Sequence, residues 1–272
     1  MISVLVRSHN DIKYIRQTVE MLLAQTVDDD AVEIISCDDR STDGTAEYLA
    51  SVPELRRIVP PKGKYVPGKT LNYMVNQAKG DIIVFNNSDA IPQNHDYLKK
   101  LTAPLQDKSV DCVFGNQIAR QDAYFVVKKD YERAFGDGSI SAAWDNFFSL
   151  VSSGFRKADL LDKPFNENIQ YSEDTDWVKR YQAKIVYVPE AVVEHSHNYT
   201  LKEVKKRFFN EGVADRQMGK AAMSFFRCIK SIAAETLRDW VYLAKHRTIK
   251  EFFYAPLYRL VQKASYYRGT KQ

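Results

Sequence analysis

The stretch Val32-Glu33-Ile34-Ile35-Ser36-Cys37-Asp38-Asp39-Arg40-Ser41-Thr42-Asp43-Gly44-Thr45 decides the fold. Its first six residues read as a buried strand. Two carboxylates stand at the tip, a turn follows, and Thr42-Asp43 opens a helix that continues through Leu49. Some fifty residues later Ile82-Ile83-Val84-Phe85 ends in Asn86-Asn87-Ser88-Asp89. Two apolar strands therefore present acids from their C-terminal ends, the edge of an open α/β sheet at which ligands bind.

The surrounding sequence supports that frame. A first strand is expected over 2–7 and a helix over Ile12–Gln25, with Ile12, Ile15, Val19, Leu22 and Leu23 at helical spacing. A short strand is expected over Arg56–Val59, a helix over Lys69–Lys79 stopped by Gly80, a helix over Pro92–Leu105 and a strand over Val110–Phe114. Strands alternating with helices imply parallel pairing and right-handed crossovers. Beyond residue 120 the pattern loosens. Asp122–Val127 reads as a strand, Phe135–Ser139 as a mobile loop, Trp144–Val151 as a helix, and Lys184–Val188 as a strand ending at Pro189. Glu173–Gln182 reads as a helix with acids at its start, where the dipole favours them. Residues 200–272 read as helical throughout.

The chain of 272 residues suits one α/β domain of about 200 residues plus an appendage. Three widely spaced cysteines, Cys37, Cys112 and Cys228, fit a reducing compartment. Met1–Arg7 is too short for the apolar core of a signal peptide, and no stretch reaches the ~18 apolar residues of a spanning helix. A cytoplasmic protein is expected. Net charge is +4, but residues 200–272 hold 16 Lys or Arg against 6 Asp or Glu, a local +10, which leaves −6 for residues 1–199. That basic, aromatic-rich tail suits either an amphipathic helix on an anionic membrane or a helical cap or dimer interface. The acidic sheet edge argues against a nucleic-acid partner.

Each acidic group has a chemical reading and a plainer one. Asp38 and Asp39 can accept from a pyrimidine N–H or a ribose hydroxyl; Asp pairs also build turns. His9, in Ser8-His9-Asn10 after the first strand, is placed to stack on a base that Asp39 grips. Asp89 can hold magnesium or manganese against phosphates, since such ions take only one or two carboxylates. Glu173 and Asp174 serve a helix dipole or supply a general base. Asp176 shares that segment. Of His195 and His197, one is a candidate to complete a metal shell or touch a phosphate, the other to pack. Lys62–Lys69 resembles a phosphate cradle but lacks the full P-loop spacing, and Arg120, Arg133 and Arg156 are further candidates for diphosphate contact.

In this order the pieces resemble a family 2 glycosyltransferase of the GT-A fold. The resemblance rests on Ser3–Asn10, Asp38–Thr45, Asn72 through Gly80-Asp81, Asn87-Ser88-Asp89 and Ser172-Glu173-Asp174. The family often has Gly or Asn where Arg40 stands, and its Asp-x-Asp motif is here Asn87-Ser88-Asp89. Ser88–Pro92, Ser172–Trp177 and Val193–Leu201 are similar to the rhamnosyltransferase branch, which uses dTDP-rhamnose to build bacterial surface polysaccharides. The resemblance implies an α/β sheet, mainly parallel and flanked by helices. It implies a catalytic domain over 1–200, with a nucleotide-binding half to about 115 and an acceptor half beyond, and a helical extension over 201–272. It places Ser8, His9, Asp38, Asp39, Asn72 and Ser88 at the nucleotide, and Asp89 with His197 or His195 at a Mg2+ or Mn2+ ion. Asp174 becomes the base, with Glu173 the alternative. The implied partners are a nucleotide-sugar donor and a glycan acceptor, lipid-linked in some members. Another UDP- or dTDP-sugar, a nucleotidyltransferase and a non-catalytic sugar-nucleotide-binding subunit are the competing readings.

Overall fold

Strand β1 (Ile2–Ser8) is hydrogen-bonded on both sides, and its alternation explains why both sheet faces are covered. Ile2, Val4 and Val6 point into one apolar layer; Leu5, between them, is also buried. The computed structural model describes residues 1–28 and 31–272. The described residues pack as two compact units, 1–118 with 134–195, and 119–133 with 196–272.

The first unit is built on a sheet of eight strands among the described residues, in the order β3-β2-β1-β4-β7-β6-β8-β5. Here β2 is Val32–Asp38, β3 Leu55–Ile58, β4 Ile82–Asn86, β5 Ile91–Pro92, β6 Cys112–Ile118, β7 Ser152–Arg156 and β8 Ile185–Glu194. β1 to β4 pair in parallel as expected. β7 then runs antiparallel between β4 and β6, so the sheet is mixed. Helices α1 (Ile12–Leu23), α2 (Thr45–Ala50) and α4 (Tyr97–Thr102) cover one face with Ile15, Val19, Leu22, Leu49, Leu98 and Leu101. Aromatic rings fill the other face. Phe155 meets Trp177 edge-on at 5.1 Å and Phe85 at 5.7 Å, a favoured ring geometry. Trp177 lies on α7 (Glu173–Tyr181).

Several expectations give way. The helix expected over Pro92–Leu105 is only α4 plus a 3-10 turn at Ala103–Gln106, because Ile91-Pro92 pairs with β8 instead. Asp122–Val127 is not a strand; α5 (Phe125–Ala134) begins there and buries Val126, Val127 and Lys129 at helical spacing. Trp144–Val151 forms no helix, and the β7 that follows opens on Ser152-Ser153-Gly154, where a Cβ on Gly154 would sit 2.9 Å from Val113. β8 itself bulges at Pro189, since Gly115 faces Val188 and Asn116 faces Val192, and this lets the proline miss the ladder. Helix α3 (Pro67–Gln77) starts on Pro67 and ends before an extended Ala78. Gly80 is not its cap; a Cβ there would lie 2.7 Å from the Met1 carbonyl. The last helix of this unit, α6 (Lys157–Asp162), follows β7 directly.

The second unit holds α8 (Leu201–Gln217), α9 (Phe225–Lys245) and α10 (Tyr254–Gly269), with most of α5. α8 opens on a capping box between Thr200 and Glu203. α8 and α10 cross closely because glycine faces glycine. A Cβ on Gly269 would fall 2.2 Å from the Phe209 carbonyl, and one on Gly212 2.4 Å from that of Tyr266. Inside lies an ion cluster. Arg259 binds Asp239 at 2.6 Å and Asp130 at 2.7 Å, and Lys129 binds Asp239 at 2.8 Å and Glu235 at 2.7 Å. Two buried cations are tolerated because these acids answer them. No helix among the described residues is long and apolar enough to cross a membrane.

Candidate active site

The tip of β2 is ordered by its own acids. Asp38 accepts from Ser8 Oγ at 2.7 Å, Ser41 N at 3.0 Å and Ser41 Oγ at 2.5 Å, so it ties the tips of β1 and β2 together. Asp43 accepts from Ile12 N at 3.0 Å and from Thr45 N and Oγ1 at 3.0 and 2.6 Å, which joins the starts of α1 and α2. Although these two acids serve the turn, Asp39 faces Arg40, whose Nη2 lies 2.8 Å from Oδ1. Arg40 adopts φ 56, the left-handed conformation that Gly and Asn take most readily. His9 Nδ1 lies 2.6 Å from the Asp39 carbonyl, which fixes the exposed ring at the same tip. Beside it a cleft of about 680 Å³ runs past Asp38, Arg40, Arg57 and the Pro60–Gly63 loop, within the size range of small-molecule sites. The Lys62-Gly63 part of the expected phosphate cradle lines it.

The tip of β4 is a tight turn. Ala90 N donates to the Asn87 carbonyl at 3.0 Å, and the buried Asn86 amide donates to the carbonyls of Asn87 and Ala90 at 2.9 and 2.8 Å. Tyr97 donates to Asn86 Oδ1 at 3.0 Å from below. This scaffold aims Ser88 and Asp89. Ser88 Oγ donates to Asp11 Oδ2 at 2.5 Å, which bridges the tips of β1 and β4. Burial, with the charge of Asp89 among the lesser causes, raises the Asp11 carboxyl above its usual range.

Asp89 Oδ2 and His195 Nε2 stand 3.5 Å apart, both in buried side chains. Gln117 orients the imidazole. Its amide nitrogen donates to Ser149 Oγ at 2.8 Å, which turns Oε1 toward His195 Nδ1 at 3.0 Å. With Nδ1 donating, a neutral ring presents its Nε2 lone pair to the carboxylate, the arrangement of a metal-ligating histidine with its supporting hydrogen bond. A carboxylate oxygen and an imidazole nitrogen at this spacing fit a divalent cation. His197 belongs to the second unit, where its ring stacks on Tyr199 at 5.0 Å.

Arg7, on β1, connects the third group. Its Nη1 donates to Tyr65 Oη at 3.0 Å and its Nη2 to Glu173 Oε1 at 3.1 Å. Among the described residues Asp174 receives only main-chain donors, Thr175 N at 2.8 Å and Leu150 N at 3.4 Å. Burial, then the charge of Glu173, pushes its carboxyl up to about 6. An acid tuned in this way is suited to proton transfer near neutral pH.

The sequence of residues 3–164 matches the family model described as glycosyl transferase family 2. The chain belongs to that family. The O-antigen chain rhamnosyltransferase WbaN of Salmonella anatum is 29% identical over 245 residues, which cover 81% of this chain and 77% of the relative. Glycosyltransferase GlyG of Streptococcus pneumoniae is 33% identical over 210 residues, 69% of this chain and 68% of the relative. Among solved structures, the mannosyltransferase PcManGT of Pyrobaculum calidifontis, in complex with GDP-Man and Mn2+, superposes with a TM-score of 0.65 at 16% identity, covering 99% of this chain and 86% of that one. The fold is GT-A.

Some candidates have partners of their own in the fold. Asn72 ties α3 to a neighbouring loop, donating to the Phe165 carbonyl and Glu167 at 3.0 Å and accepting from Phe165 N at 2.9 Å. Arg156 is engaged by the carbonyls of Leu105 and Val110 and by Asp159. Arg120 is buried and donates to the Ser196 carbonyl. Conversely, Asp11, Arg7, Tyr65 and Gln117 act on the site unannounced. Their partners lie 32 to 166 positions away in sequence, apart from the short reach of Asp11 to His9.

Proposed function

We propose that this family 2 enzyme is an inverting transferase that moves rhamnose from dTDP-rhamnose onto a hydroxyl of a growing bacterial surface polysaccharide or lipid-linked glycan. The observation that carries the chemistry is Asp174, a half-buried carboxylate raised to about 6 beside the Arg7–Glu173 pair. The sugar and glycan follow from the O-antigen rhamnosyltransferases that match over most of the chain.

In this reaction Asp174 takes the proton of the acceptor hydroxyl as its oxygen attacks the anomeric carbon. The bond to the leaving diphosphate breaks on the opposite face and the diphosphate keeps the electron pair. Glu173, neutralised by Arg7, positions the helix start that carries the base. Asp39 grips the edge of the base and His9 covers its ring, while Asp38 and Ser8 keep both tips in register. Asp89 and His195 would hold the divalent cation. The mixed oxygen and nitrogen set suits Mn2+ better than Mg2+. When bound, that ion offsets charge on the departing diphosphate. The reaction takes place at the cytoplasmic face of the membrane, where a lipid-linked acceptor is presented.

The test is a panel of nucleotide sugars incubated with the purified protein and Mn2+, scored for release of the nucleoside diphosphate. Consumption of dTDP-rhamnose ahead of UDP- and GDP-sugars is expected. Preference for another donor overturns the rhamnose assignment, and release of pyrophosphate from a nucleoside triphosphate and sugar phosphate overturns the transferase reading.

A further inference from the structure

Helix α9 turns its more polar side inward. Its buried residues are Cys228, Thr236, Asp239, Tyr242 and Leu243, with Asp239 in the ion cluster. Phe226, Ile229, Ala233, Leu237, Trp240 and Val241 fall on one opposite stripe, and all are exposed, Phe226 by 84% and Leu237 by 60%. A helix of a water-soluble surface has the reverse arrangement. The stripe continues into the corner that follows α9. Trp240 stacks on Phe252 at 5.0 Å, and Phe252 meets Phe253 edge-on at 5.3 Å. Ile249 and Phe253 are 87% and 86% exposed. An apolar surface this continuous marks a contact with something other than water.

The charges say what that something is. All six acids of residues 200–272 have internal duties. Glu203 caps α8, Glu211 pairs with Arg207, Asp215 with Lys220, Glu235 and Asp239 join the ion cluster, and Glu251 accepts from Phe125 N and Val126 N. Arg227, Lys230, Lys245, Arg247 and Lys250 are exposed, and none has an ion-pair partner among the described residues. Arg227 and Lys245 are eighteen residues apart, five full turns, so they share one flank of the apolar stripe. A second copy of the chain would bring two such positive surfaces together, which is repulsive. An anionic bilayer answers both features, since it takes apolar side chains below its phosphates and cations level with them.

We propose that the outward face of α9 and the 249–253 corner dock on an anionic lipid bilayer, with Phe226, Ile249 and Phe253 inserted and Arg227, Lys230, Lys245 and Lys250 at the phosphates. Phe226 and Trp240, which carries the corner, are about 20 Å apart along α9, so the contact has two anchors. The docking sharpens the membrane placement given above and does not depend on the identity of the sugar.

The test uses the full chain and sedimentation with phosphatidylcholine vesicles, with and without phosphatidylglycerol. Binding only to the vesicles containing phosphatidylglycerol is expected. The triple variant Phe226→Glu, Ile249→Glu, Phe253→Glu should keep its circular dichroism and its donor hydrolysis in solution but lose the vesicles. Because exposed side chains are changed, folding is spared. Lys245→Gln and Lys250→Gln should each weaken binding about fivefold. Absence of binding to anionic vesicles, equal binding to neutral ones, or unchanged binding by the triple variant overturns the proposal. A wild-type dimer that this variant converts to monomer assigns the face to a second copy instead. Failure of dTDP-rhamnose hydrolysis would leave the vesicle result standing, so the two readings fail separately.

Discussion

Arg7 holds Glu173 at 3.1 Å, and this contact separates two neighbouring acids into different roles. Glu173 is buried and answered by a guanidinium. Asp174, one residue on, has only main-chain donors among the described residues, and its proton is held up to about pH 6. Adjacent carboxylates at a helix start thus differ by what the end of β1 offers them.

Asp174→Asn should lower transfer by roughly 10²–10⁴, the usual worth of a general base, with donor affinity kept. Turnover and calorimetric titration with donor and Mn2+ check the two halves. Glu173→Gln should cost less and mainly through stability. Near-normal turnover by the Asp174 variant would remove it as the base.

The same carboxyl predicts an effect on folding with a definite sign. Its pKa rises from 3.8 to about 6 in the folded state, so the folded form holds the proton longer than the unfolded one. Its contribution is therefore present below pH 3.8 and lost as pH rises through 6. Asp174→Asn should raise Tm at pH 7.5 and change it little at pH 4. The transfer rate of the wild type should climb through an acidic limb near pH 6. A rate flat from pH 5 to 8 would contradict this.

Gln117→Leu tests the metal site from outside it. Losing the oxygen that faces His195 Nδ1 frees the imidazole to rotate. Mn2+-dependent donor binding should weaken about 10- to 100-fold, the usual cost of losing such a supporting bond. Asp89→Ala should weaken it further. Titrations in which neither change matters would dismiss Asp89 and His195 as the cation holders.

In the second unit, Gly269→Val places side-chain atoms where the Phe209 carbonyl already lies, 2.2 Å from the Cβ position. The two helices must part, at a cost of roughly 3 kcal/mol, the upper end for overpacking. Urea denaturation followed by circular dichroism should show it, whereas donor hydrolysis by the surviving folded fraction should persist.

The acids at strand tips were legible because a strand followed by Asp is a local signal. β1, β2 and β4 came from apolar runs and turns, and the resemblance supplied the roles. What was not legible depends on distance. Ser152-Ser153-Gly154-Phe155-Arg156 has no apolar alternation, yet it forms the strand between β4 and β6, where a Cβ on Gly154 would crowd Val113. Asp122–Val127 mimicked a strand, while its inward residues repeat with helical period. Asp11 was passed over because nothing nearby reveals Ser88 as its donor. Asn72 matched the family pattern, yet its amide is engaged by residues 165–167.

The antiparallel strand also ties the fate of β4 and its parallel neighbours to residues far downstream. Ile83 faces Phe155 and Phe114 faces Ser153, so one short insert closes the ladder from both directions. A fragment ending near residue 115 would leave Ile82–Asn86 as a bare apolar border, open to any passing chain. Such a fragment should clump rather than fold. Ile82–Asn86 and Ser152–Arg156 are in this sense mutual chaperones.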